Sequence, residues 1–310
     1  MPHSSRWVLI VATCLAAGCQ GAEQTLRRPG QIAFAPSGDL LVADLQHHRV
    51  VRFGPDLAFL GAMGERGIGD GELWSVQGLG VLDDGSVLVV DHSLARLDDP
   101  ASDIRRIKRF AANGSLLPGF DPAAATGDGE PMGWPASITA IPGGIVLGDY
   151  ERDHLQVFTP DGRYLRAIYA RPPAEPFNGT GFVRWAAGLL WVAEYEIHRV
   201  RAFTLDGDER LQVGAEGSGD GQFLFADSVD AAPDGTLAVA DTGNYRAVLF
   251  GPDGRWLRNI VPAPAKKGIK VHMADVRWGP DGRIYISDGK GNRVLVYTRE
   301  GALAATLETW

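Results

Sequence analysis

Short apolar runs separated by polar turns recur along this chain in one fixed order. In residues 240–257 an acid closes an apolar run, an arginine follows five positions later, an aromatic residue ends a second run, and "PDG" turns the chain into a third. Copies of this pattern align on six acids: Asp44, Asp91, Asp149, Glu194, Asp241 and Asp288. The spacings between them are 47, 58, 45, 47 and 47 residues. A regular period in the forties predicts a repeat architecture.

Each copy predicts four short β-strands. In the fifth copy they are "SVDAA", "TLAVAD", "RAVLF" and "WLRNI", with "PDG" turns after the first and third. A glycine stands six positions before every acid, and it predicts the positive φ that a tight hairpin needs. Second strands such as "LLVAD" and "VLVVD" are almost wholly apolar, which favours strands covered on both faces. The pattern predicts an all-β fold, a six-bladed β-propeller of four-stranded antiparallel blades, since a β-helix or solenoid would need shorter repeats.

The acid and the arginine of each copy are predicted to pair within one turn. The stretches "DTGNYR" and "DGKGNR", with "GSGDGQF" between copies, resemble the NHL repeat, and the resemblance covers Pro29 to Trp310. The third copy departs from it, since "DYERDH" lacks the arginine, and the fourth has glutamate as its acid. Five apart, acid and arginine can bond each other and the turn backbone, which indicates a structural role. The five arginines are Arg49, Arg96, Arg199, Arg246 and Arg293.

The first residues predict an export signal. Arg6 precedes the eleven-residue apolar run "WVLIVATCLAA", which is too short to span a bilayer and typical of a signal peptide. "LAAGC" resembles the cleavage site of bacterial lipoproteins, which implies acylation of Cys19; ordinary cleavage nearby, leaving Cys19 as a free thiol, is the alternative. We therefore expect a signal peptide over 1–18, a short linker over 19–28 and the propeller over 29–310.

Charge and cysteine content narrow the expected partners and cellular location of the protein. With Cys14 inside the signal, Cys19 is the one cysteine left to the mature chain, so no internal disulfide is expected. A formal net charge of −8 argues against nucleic-acid binding. The lipoprotein resemblance implies a lipid-anchored protein of the bacterial cell envelope. The residue after Cys19 is Gln20 rather than aspartate. In the lipoprotein resemblance this implies sorting to the outer membrane, with the protein facing the periplasm.

One end of the propeller is predicted to carry the function. In such a ring the second-to-third-strand turns and the crossovers between blades open at the same end, and here these segments vary most in length. Histidines and aromatic residues of the mature chain concentrate in them, although histidine also favours exposed loops in general. The resulting binding-face prediction comprises His47, His48, Trp74, His92, Trp134, Tyr150, His154, Tyr195, His198 and Tyr245.

The axial funnel holds a second candidate site. Asp227 and Asp275 align near the starts of inner strands, with His272 just upstream, and this set could hold a divalent metal, calcium or zinc. The alternative is that such acids hydrogen-bond backbone amides or water. We expect a lipid-anchored, monomeric binding module for an envelope protein, peptide or glycan, without catalysis. The alternative function is a metal-dependent lyase or lactonase with its site in the funnel.

Overall fold

A computed structural model describes residues 25–94, 103–124, 132–152, 154–178 and 180–310. Its strands form six four-stranded antiparallel sheets, each made of four consecutive strands. Blades 1 to 3 comprise β1 (Pro29–Phe34), β2 (Leu40–Asp44), β3 (Arg49–Phe53), β4 (Phe59–Met63); β5 (Val76–Val81), β6 (Val87–Leu94), β7 (Asp103–Phe110), β8 (Leu116–Phe120); and β9 (Pro135–Ile141), β10 (Gly144–Asp149), β11 (Leu155–Phe158), β12 (Tyr164–Ile168). Blades 4 to 6 comprise β13 (Thr180–Ala186), β14 (Leu189–Glu194), β15 (Arg199–Phe203), β16 (Glu209–Val213); β17 (Ala226–Ala231), β18 (Leu237–Asp241), β19 (Arg246–Phe250), β20 (Trp256–Ile260); and β21 (Met273–Trp278), β22 (Ile284–Asp288), β23 (Arg293–Tyr297), β24 (Leu303–Leu307).

The six sheets surround one axis, which confirms the predicted six-bladed propeller. The first strand of each blade contacts the first strands of the two neighbouring blades, and β1 contacts β21. Buried apolar side chains form six clusters, and each cluster lies between two adjacent blades. The second strands read as continuous apolar runs because both of their faces are covered by neighbouring blades.

The inner strands are also joined by polar side chains that reach across to the next blade. Ser137 accepts the Val183 N–H at 3.0 Å, and Asp275 accepts the Ile32 N–H at 2.8 Å across the closing seam. Inner-edge amides that no strand pairs are thereby satisfied inside the ring. Asp275, one of the two predicted funnel acids, thus bonds a backbone amide, as the alternative interpretation of the sequence expected.

The ring closes without exchange of a strand between the first and last blades. Leu26 N–H donates to the Glu308 carbonyl at 3.0 Å, beside a bridge between Thr25 and Thr309. Trp310 stacks on Phe59 with ring centroids 5.3 Å apart and packs edge-on against Phe53. The two ends of the described chain are held by these contacts and by the blade 6–blade 1 cluster.

Glycines occupy the hairpins as predicted. The six glycines that precede the acids all have φ between 75° and 87°: Gly38, Gly85, Gly143, Gly188, Gly235 and Gly282. Among the described residues, no helix is long and apolar enough to cross a membrane. The predicted signal peptide and Cys19 lie outside the described residues.

The long spacing in the second copy is an extended hairpin. β6 continues to Leu94 and β7 begins at Asp103, so that His92 pairs with Arg105 beyond the usual end of the blade. Part of the extra length of the second copy is therefore strand pairing beyond Asp91, which continues to the Leu94–Asp103 pair. Residues 95–102 lie outside the described chain.

Candidate functional site

The turns and crossovers meet at one end of the ring, here named the crossover end. In every blade the acid at the end of the second strand accepts a backbone N–H from the segment that leads into the first strand. In blade 5, Leu224 N–H donates to Asp241 at 2.7 Å. These bonds hold the second-to-third-strand turn against the crossover.

The predicted acid–arginine pairs are confirmed in four blades. The distances are 2.9 Å for Asp44–Arg49, 2.6 Å for Glu194–Arg199, 2.8 Å for Asp241–Arg246 and 3.0 Å for Asp288–Arg293. The acids are buried, so these pairs belong to the scaffold.

In blade 2 the acid at the end of the second strand pairs with a lysine instead of an arginine. Asp91 forms an ion pair with Lys108 at 3.1 Å, and strand pairing places Arg106 opposite Asp91. Arg96, which the sequence alignment paired with Asp91, lies outside the described residues. The extended hairpin moves the partner of the acid farther along the chain, which a fixed spacing of five cannot reveal.

Two predicted binding histidines connect adjacent blades. His48 and His198 end equivalent turns in the left-handed conformation, with φ of 54° and 58°. The Nδ1 atom of His48 bonds the Trp74 carbonyl at 2.7 Å, whereas Nδ1 of His198 accepts the Phe225 N–H at 2.9 Å. Both rings therefore hold the crossover of the next blade in place.

The other histidines of the predicted face also contact the scaffold. His92 and His154 are buried, and His47 is partly buried. Their partners are Asp44 for His47, Trp134 for His92 and Tyr169 for His154. The predicted residues do lie at the crossover end, but little of their imidazole surface faces solvent.

Several aromatic side chains are accessible at this end. Tyr195 stacks on Phe225 with centroids 4.9 Å apart, and Phe225 is 38% exposed. Tyr150 is 39% exposed and its hydroxyl donates to Glu196 at 2.8 Å. We name the exposed or partly exposed set Tyr150, Tyr195, Phe225 and Tyr245 the aromatic rim.

Two further side chains lie beside the predicted face, Phe225 and Lys270. Phe225 occupies the place that Ser75 takes in blade 2, as their equivalent carbonyl bonds show, and aligning the two crossovers would have revealed an extra aromatic ring there. Lys270 lies with its Nζ 4.2 Å from the centre of the Tyr245 ring, a cation–π contact. No repeat position signals it, because Lys270 lies in an irregular crossover.

Asp227 lies at the mouth of the funnel beside the rim. Burial, the nearby charge of Asp275 and a smaller opposing contribution from the Thr242 hydroxyl set the pKa of Asp227 at about 7. The pKa of the Tyr195 phenol is raised by burial and by the charge of Asp227. A carboxyl group that titrates near neutral pH can serve as a proton donor or acceptor.

The predicted equivalence of Asp227 and Asp275 is wrong by one residue. Asp275 lies opposite Ser287 and therefore corresponds to Ser228, which lies opposite Ala240, whereas Asp227 is the extra residue at the register shift of blade 5. Asp275 bonds Ile32 and Ser228 and pairs with Arg277 at 2.7 Å, so both of its oxygens are engaged within the ring.

The three metal candidates do not form a donor set that fits an ion. The His272 backbone N–H donates to Asp288, and its ring lies beside Gly289; burial, Lys290 and Arg28 lower the pKa of its imidazole. Within the described ranges no group of three or more His, Cys, Asp or Glu side chains is arranged to hold a metal.

Comparisons with known proteins show similarity of fold alone. No family model and no curated protein sequence matches the chain, so the NHL resemblance remains a prediction. A streptogramin B lyase structure matches with a TM-score of 0.59 at 13% identity, over 93% of this chain and 87% of the lyase. A gluconolactonase from Xanthomonas campestris matches with a TM-score of 0.61 at 15% identity, over 86% of this chain and 85% of the other. A chain of the nidogen/laminin complex matches with a TM-score of 0.57 at 16% identity, over 89% and 92%. These identities support a shared six-bladed propeller fold and no closer relationship.

Proposed function

We propose that this protein is a binding propeller that takes a protein, peptide or glycan on the aromatic rim of its crossover end, without catalysis. The observation that carries the proposal is the Tyr195–Phe225 stack, which is solvent-accessible although the neighbouring His198 is engaged in a structural contact. Tyrosine and other aromatic residues supply large contact area at low entropic cost.

The backbone beneath the rim supports such a role. Phe225 is held by its N–H bond to His198, and the preceding Leu224 is held by Asp241. The turn that carries Tyr195 begins directly after Glu194, which pairs with Arg199. Rings fixed on a rigid scaffold lose little conformational entropy when a ligand binds.

Capture from envelope extract tests the proposal. The double variant Tyr195→Ser, Phe225→Ser should capture much less partner than the wild type does. Leu60→Ser, which changes an exposed side chain on β4, should capture as much as the wild type. Equal capture by both variants would refute the rim as the binding surface.

The proposal also includes an envelope location. The lipoprotein-like "LAAGC" sequence supports acylation of Cys19 and a periplasm-facing anchor in the outer membrane. A short tether would leave the propeller soluble at the membrane surface, with the rim free to meet envelope components.

A second candidate function is a lyase or lactonase that uses Asp227 as its acid or base. The observation that favours it is a carboxyl group with a pKa of about 7 next to Tyr195 at the funnel mouth. A group with such a pKa exists in both protonation states near neutral pH, which suits general acid–base catalysis.

Activity measurements separate the two functions. The purified protein would be tested on gluconolactone and on a streptogramin B, with Asp227→Asn as the matched variant. Turnover that disappears in Asp227→Asn would establish the second function. No turnover by the wild-type protein on either compound would leave the binding function as the preferred one.

A further inference from the structure

Arg184 on β13 extends into the axial space of the ring. Its guanidinium interacts electrostatically with Asp275 and Arg277, which both belong to β21 of blade 6. Blade 5 separates blade 4 from blade 6 in the ring. The guanidinium of Arg184 on blade 4 interacts with charges on blade 6, and it therefore lies in the space that the inner strands enclose.

Strand register places Arg184 in one layer with Asp230 and Arg277. The three residues pair with equivalent positions on the second strands of blades 4, 5 and 6. Asp230 accepts the Trp278 N–H at 2.9 Å. Arg277 donates to the Ile32 carbonyl at 3.0 Å and pairs with Asp275 at 2.7 Å. Both neighbours of Arg184 in this layer thus have protein partners.

Arg184 differs from them. Its Nε atom is buried and has no hydrogen-bond partner, and no ion pair joins it to any side chain in the described part of the chain. Burial and the charge of Arg277 lower the pKa of the Arg184 guanidinium to about 10, so it remains charged at neutral pH. Arg184 as a whole is only partly buried, so a molecule in the axial space can approach its guanidinium and supply the missing acceptor.

We propose that Arg184 binds the carboxylate group of a small ligand within the axial channel. The planar fork of a guanidinium matches the two oxygens of a carboxylate. Phosphate also fits a guanidinium, but its second negative charge would be repelled by Asp230 and Asp275, which lie close to Arg184. A singly charged carboxylate gains the contact with Arg184 at a smaller repulsive cost.

This site is separate from the aromatic rim. It uses an inner-strand residue rather than the turns, and it takes a small anion rather than a macromolecule or glycan. Anion binding at Arg184 can therefore be tested independently of the proposed binding function. The variant Phe225→Ala, which alters only the aromatic rim, distinguishes the two sites.

Calorimetric titration with sodium acetate and with sodium formate, at constant ionic strength, tests the proposal on the purified protein. The wild type should show saturable binding and a rise in melting temperature. Arg184→Met should weaken binding about tenfold or more, because it removes charge-assisted hydrogen bonds. Arg255→Met, which removes an arginine exposed on an outer hairpin, should bind as the wild type does, and so should Phe225→Ala.

The following results would overturn the proposal. Absence of a saturable effect of acetate and formate on the wild type would show that water alone satisfies Arg184, and this outcome is readable even if Arg184→Met does not fold. Binding that Arg184→Met retains would place the anion elsewhere. A titration with inorganic phosphate that gives tighter binding than acetate would refute the carboxylate assignment.

Discussion

Replacing Asp227 by asparagine should change how the stability of the protein depends on pH. Asp227 is partly buried at the funnel mouth, near the charge of Asp275, and its pKa is about 7 instead of 3.8. Asparagine has nearly the same shape but cannot ionise. Comparison of the two proteins therefore isolates the cost of the negative charge.

The direction of the pH dependence follows from the difference between the pKa values of Asp227 in the folded and unfolded states. Because the folded-state pKa is raised, folding favours the protonated carboxyl, and the wild type loses stability as the pH rises from about 4 to about 7. The difference between pKa values of about 7 and 3.8 corresponds to at most roughly 4 kcal/mol. Since Asp227 keeps some contact with water, we expect about 1–2 kcal/mol.

Urea unfolding between pH 4 and pH 8 measures the effect. The free energy of unfolding of Asp227→Asn minus that of the wild type should increase up to about pH 7 and stay constant above it. Asp206→Asn, at an exposed hairpin position in the opposite end of the ring, controls for the substitution itself. A difference that does not vary with pH for Asp227→Asn would refute the perturbed environment, and with it the acid–base role.

Three further predictions concern closure, the turns and the anchor. Trp310→Ala should lower the free energy of unfolding by about 3 kcal/mol, because it removes a buried ring that packs on two phenylalanines of blade 1. Trp256→Ala, which removes a ring that is 40% exposed, should cost about 1 kcal/mol or less. Equal losses of the two variants in urea unfolding would contradict closure through Trp310. Asp241→Asn should cost about 3 kcal/mol or more because it leaves the Arg246 guanidinium without its counter-charge, and a cost below about 1 kcal/mol by the same measurement would argue against the structural role of the pair. Cys19→Ser should move the protein from the membrane fraction to the soluble fraction of cells, and unchanged fractionation would argue against the lipid anchor.

The period of the sequence was sufficient to predict the fold because each blade repeats the same physical requirements. The glycine before the acid supplies a positive φ, the apolar second strand is covered on both faces, and the acid bonds the crossover. The extended hairpin of blade 2 could not be located in this way, since pairing of His92 with Arg105 depends on two strands that continue beyond the repeat.

The candidate site was predicted less completely, for reasons of geometry. The sequence placed histidines and aromatic residues at the correct end, but it could not show that His198 uses its Nδ1 atom to accept the Phe225 N–H. Asp227 stands 14 residues before the acid of its blade and Asp275 stands 13 before its own, and strand pairing shows that this one-residue difference makes Ser228 the equivalent of Asp275. Arg184 gave no signal at all, because its isolation depends on residues from three blades that only ring closure brings together.

Photo-crosslinking in intact cells tests most directly which end of the propeller binds. A photoreactive amino acid would be placed at position 225, in the rim, and in a second strain at position 161, in the β11–β12 hairpin at the opposite end. We expect a discrete crosslinked product from position 225 and none from position 161. A product from position 161 with none from position 225 would contradict the assignment of the crossover end as the binding end.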